Sequence, residues 1–137
     1  MQEFQPQRLA PSPDFRHGVD LFHAGYYWEA HEAWEALWHA AGRSGPTADL
    51  LKGLIKLAAA GVKVLEGVPT GVASHARRAA ELLDQAATGG ITTIGQTSVA
   101  ELAQAARKVA AAPPQVPAGF TPPCAVWSIE LNFPTTS

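Results

Sequence analysis

Prolines and glycines cut residues 12–112 into five stretches, and each stretch carries apolar residues at helical spacing. This punctuation leaves little room for a sheet. Ser12-Pro13-Asp14 reads as an N-cap, a proline at the first helical position and an acid in the first turn. Phe15, Val19 and Phe22 follow at i, i+4 and i+7, so helix one is predicted over about 13–24, with Gly25 closing it. Helix two runs from about Tyr26 to Ala41 and stops at Gly42, with Gly42-Arg43-Ser44-Gly45 as a loop. Pro46 and Asp49 open helix three, whose stripe is Leu51, Leu54, Ile55, Ala58, Val62 and Leu65. Gly53, Ala58, Ala59, Ala60 and Gly61 make that helix thin, so a neighbour can approach closely.

Gly67-Val68-Pro69-Thr70 reads as a turn. Helix four carries Val72, Ala76, Ala79, Ala80 and Leu83 and ends before Gly89-Gly90. Residues 89–97 read as a Gly/Thr-rich loop, and Ser98-Val99-Ala100-Glu101 matches a capping box at the start of helix five. That helix stops before Pro113-Pro114. The expected fold is all-α: a single compact domain of about five helices, bundle-like, over 1–112, with an N-terminal arm over 1–11. Residues 113–137 form a Pro-rich tail, in which 125–131 alternates weakly as a short extended segment. The tail is expected to pack on the helices, because a free tail would leave Trp127, Ile129, Leu131 and Phe133 in water.

Composition excludes several classes. A chain of 137 residues suits one domain. Its hydrophobic fraction of 47% argues against overall disorder. With 10 basic and 12 acidic residues there is no clustered positive charge for nucleic acid. No apolar run approaches the ~20 residues of a membrane span, and no signal peptide is visible. The lone Cys124 gives no intramolecular disulfide. A cytoplasmic protein is the expectation.

Chemistry concentrates on helix two. At 100° per residue, Ala30, Ala33, Trp34, Leu37 and Trp38 share one arc, and Trp28, Glu29, His31, Glu32, Glu35 and His39 share the other. His31, Glu35 and His39 stand one turn apart on one face, with Glu32 beside them. Imidazole and carboxylate donors suit a divalent metal such as Zn, Mn, Fe or Ni. The run His31-Glu32-Ala33-Trp34-Glu35 is not the H-E-x-x-H of zinc proteases, and one helix supplies only two or three ligands. His75, His17 and His23 are the only histidines elsewhere in the chain. The plain alternative is a solvated acidic face with His31 hydrogen-bonded locally. Trp28, Trp34 and Trp38 suit core packing or a stacking wall. Lys52 and Lys56 share a face of helix three and either pair with Glu29 or Glu32 or face water.

The pattern Phe22-x-x-Gly25-x-Tyr27-x-Glu29-Ala30-His31-Glu32-x-x-Glu35-x-x-Trp38, followed by Leu51-x-Gly53-Leu54-Ile55-x-Leu57-Ala58-Ala59-Ala60, resembles the bacterial and archaeal family called domain of unknown function 309. The resemblance covers about residues 14–85. It implies a compact all-α fold, and some members carry the label "predicted metal-dependent hydrolase". It also implies that Glu29, His31, Glu32 and Glu35 are the polar signature and Trp38 the aromatic anchor. The chain departs from the family pattern at His23, where asparagine is usual, at Lys56, where glutamine is common, and around Lys63, where a histidine tends to stand.

Two functional expectations follow. In the first, the chain is a non-catalytic binding or interaction module with a His/Glu-lined pocket marked by Tyr27, Trp28, Trp38 and Lys56. In the second, it is a metal-dependent hydrolase with His31 and Glu35 as ligands and Glu32 or Glu29 as general base on a metal-bound water. A divalent metal is thus the one cofactor in view. Nucleic acid and membrane are not expected partners, and a homo-oligomer and a small-molecule ligand are left open.

Overall fold

A computed structural model describes residues 12–42, 44–116 and 124–131. The expected N-terminal arm, Arg43, and the tail positions 117–123 and 132–137, with Phe133, lie outside the described residues. Among the described residues the order is α1 (Pro13–His23), α2 (Tyr27–Ala40), α3 (Pro46–Glu66), α4 (Pro69–Thr88), β1 (Thr93–Ile94), β2 (Thr97–Ser98) and α5 (Val99–Ala111).

The helix ends follow local chemistry. Ser12 Oγ accepts from Phe15 N–H at the head of α1, and Ser98 Oγ accepts from Glu101 N–H at the head of α5. Two expectations are corrected. Pro69 is the first residue of α4 rather than part of the preceding turn. Gly67 takes the left-handed conformation that ends α3, and Val68 N–H bonds back to Lys63 O, so the reversal is complete before Pro69. Residues 89–97 are not all loop, because β1 and β2 pair antiparallel with Ile94 opposite Thr97. The segment 125–131, read as a short extended stretch, carries neither helix nor strand.

Each helix packs on the next in sequence: α1 on α2, α2 on α3, α3 on α4 and α4 on α5. The central helix α3 is buried on most of its surface through Leu50, Leu51, Leu54, Ile55, Leu57, Ala58, Ala60 and Val64. Its thinness has the expected consequence at Gly61, where an added Cβ would stand 2.6 Å from the Tyr27 ring. An aromatic cluster joins α1 to α2. Phe15 and Phe22 lie 6.0 and 5.7 Å from Trp34, and Phe22 meets Tyr27 edge-on at 5.4 Å. Trp34 is fully buried, and its indole N–H donates to Phe15 O at 3.2 Å. Such rings each bury about 150–250 Å² and carry much of a core this size.

Residues 124–131 return from the α5 end and cross α1 and α2. Val126 N–H donates to Tyr27 Oη at 2.8 Å, and Leu131 N–H donates to His23 Nε2 at 2.9 Å. Trp127 packs on Phe22 and Tyr27, and Leu131 is buried. Gly25 makes the crossing feasible on two counts. Its φ of +89° suits glycine, and an added Cβ would lie 2.3 Å from the Cys124 carbonyl carbon.

Candidate functional site

Helix α2 turns Tyr27, Ala30, Trp34 and Leu37 into the core, at i, i+3, i+7 and i+10. The remaining faces are set by that choice. Trp28 is pushed outward and left 57% exposed. One turn on, His31 lies beneath it, the two rings parallel within 4° at a centroid distance of 5.2 Å. His31 Nε2 stands 3.5 Å from Glu35 Oε2, one further turn along. His31 Nδ1 is buried and has no hydrogen-bond partner. Such an atom is uncommon, because a buried nitrogen left unmatched costs about 1–3 kcal/mol.

Beside this stack lies a cavity of about 450 Å³. Trp28 and His31 of α2 form one wall. Ala59, Val62, Lys63 and Glu66 of α3 form the floor, and His75 of α4 closes the far side. Lys63 Nζ holds Glu66 Oε1 at 2.9 Å. Burial holds the His75 imidazole below its ordinary range, and the positive charges of Lys56 and Lys63 and the neighbouring His31 push it the same way. His75 is therefore a neutral imidazole near neutral pH, able both to donate and to accept.

The expected site residues distribute unevenly around this cavity. His31 and Trp28 line it. Glu35 touches it only through His31, and Glu32 and Glu29 are exposed on the outer face of α2. Tyr27, read from sequence as a pocket residue, is a buried core ring that anchors the tail and lines a neighbouring hollow beside Trp28. Trp38 is half-buried, with the Lys52 ammonium 4.2 Å from its ring centroid, which settles Lys52 against an aromatic face rather than a carboxylate. Lys56 acts on the site through its charge at His75.

The functional residue that sequence reading underweighted is His75. Its signal was its position at the edge of the Val72, Ala76 and Ala79 stripe of α4, which turns it towards α3. Among the described residues no three His, Cys, Asp or Glu side chains are grouped so as to hold a metal ion.

Over the described residues, the fold and cleft define a five-helix α domain with an imidazole-walled cavity between its second and fourth helices. Residues 15–75 match the model of the family described as Domain of unknown function (DUF309), so this stretch carries that domain, as the sequence resemblance implied. The matched stretch contains every residue that lines the cavity. No curated protein and no solved structure matches the chain. Among the described residues no helix is long and apolar enough to cross a membrane.

Proposed function

We propose that the chain is a non-catalytic ligand-binding module, and that the cleft between α2, α3 and α4 takes a small molecule. One observation carries the reading: Trp28, His31, Lys63 and His75, from three helices, converge on one cavity whose floor includes the apolar Ala59 and Val62. A few placed polar groups over an apolar floor are what a small-molecule site requires. The buried, unmatched Nδ1 of His31 and the open face of Trp28 add a polar anchor and a stacking surface. The metal-dependent hydrolase reading has two imidazoles facing the cleft, but among the described residues no three His, Cys, Asp or Glu side chains are grouped to hold a metal ion.

The test is imidazole NMR of the full chain with a library of small-molecule fragments. Binders should shift the His31 and His75 ring signals together. Ala59→Trp, which fills the floor of the cavity, should abolish those shifts. Hits that move neither ring, hits that survive Ala59→Trp, or a library with no hits would count against the module.

A further inference from the structure

A second hollow of about 370 Å³ adjoins the first, lined by Gly25, Tyr26, Leu65 and Glu29 among others. The two share Trp28, Val62 and Glu66, so they form one groove divided by the Trp28 ring. The halves differ in chemistry. One presents Lys63, His31 and His75. The other presents Tyr26, Val62, Leu65 and the flank of Trp28, with Glu29 at its margin. Tyr26 and Trp28 are two of the three large apolar side chains that the described residues leave exposed, and both lie here.

We infer that the ligand of this groove is a small amphipathic organic acid, its carboxylate seated among Lys63, His31 and His75 and its apolar body laid across Trp28 onto Val62 and Leu65. The inference rests on the binding-module reading and names the ligand class for the same site. Charge sets the orientation. Glu29 repels an anion from the apolar half, while Glu66 is engaged by Lys63 and Glu35 by His31. Lys56 and Lys63 add positive potential where His75 stands. Lys63 spends one of its three donors on Glu66 and keeps two for a ligand. A single carboxylate matches this set, and a cation does not.

A carboxylate beside His75 favours its protonated form, so binding draws a proton from solvent. The groups facing that imidazole are His31 from α2 and Lys56, Lys63 and Glu66 from α3; His31 and the two ammonium groups oppose its protonation, and the Glu66 carboxylate is held by Lys63. Affinity should therefore rise as pH falls through the ordinary imidazole range.

The experiment is calorimetric titration of the full chain with octanoate, octanamide and octylammonium at about pH 6 and about pH 8. Octanoate should bind roughly tenfold or more tightly than octanamide at the lower pH, the worth of a charge-assisted hydrogen bond. The preference should narrow at the higher pH, and the octanoate enthalpy should vary with buffer as a proton is taken up. Lys63→Met should erase the preference of octanoate over octanamide, and Trp28→Ala should weaken both alike. Equal binding of octanoate and octanamide, or tighter binding of octylammonium, would overturn the acid and leave the module standing. Failure of all three probes while fragments still shift His31 and His75 would do the same. Failure of probes and fragments together would overturn both.

Discussion

Gly61 and Tyr27 are two halves of one contact: the ring occupies the volume that any larger residue at 61 would claim. In an ordinary helix interior, alanine is favoured over glycine by about 1 kcal/mol. Here the Cβ would meet a fully buried ring at 2.6 Å. Overpacking of that kind costs about 1–3 kcal/mol. Gly61→Ala should therefore lower the urea midpoint despite the gain in helix propensity, and a raised midpoint would show that the ring can give way. At His75 the measurable consequence is a pH slope. The folded imidazole titrates below its ordinary range, so between the two values the unfolded chain binds more protons. Stability should then be complete above the ordinary range and fall as pH drops through and below about 6.5. Comparing melting temperatures of wild type and His75→Gln across that range isolates the slope, which the variant should lack.

Among the elements, α5 depends on Ser98. Its hydroxyl accepts from Glu101 N–H at 3.2 Å, and Ser98→Ala should cost about 1 kcal/mol in thermal or denaturant unfolding. Helix ends of this kind were legible because the cap, the proline and the first-turn acid are local signals that tertiary contacts do not overrule. The start of α4 was misread for the same locality. A Gly-x-Pro string suits a turn and a helix start equally, and only the Val68 bond back to Lys63 O decides between them. The β1–β2 hairpin was missed because two-residue strands carry no alternation to read, leaving only Gly95 at φ +62° as a cue. At the site, the pairing of Trp28 with His31 follows from their spacing on α2. The approach of His75 does not, because it depends on how α3 sets the separation of its two neighbours. The inward turn of Tyr27 was not legible in α2 alone, because that face is chosen by α1 and the tail and not by the polarity of α2.

Across the whole molecule, the tail ties the last described residues to the first two helices through Tyr27 and His23. Tyr27→Phe would leave Val126 N–H without its partner, at a cost of about 0.5–1.5 kcal/mol. Hydrogen exchange at Val126 should quicken in that variant while amides in the middle of α3 keep their protection. Burial also holds the Tyr27 hydroxyl above its ordinary range, a trend that the Val126 hydrogen bond partly offsets. Its contribution is thus intact below about pH 10 and is lost as pH rises beyond it, a slope that Tyr27→Phe should remove. The two tail bonds span 99 and 108 residues of chain, whereas every helix meets its immediate successor. Local pairings of that kind form early, and distant closures wait on the loop entropy they must overcome. The tail should dock after the folding barrier is crossed. Weakening it would then leave the refolding rate nearly unchanged and speed unfolding, so the lifetime of the native chain, more than its speed of formation, is set by its final described segment.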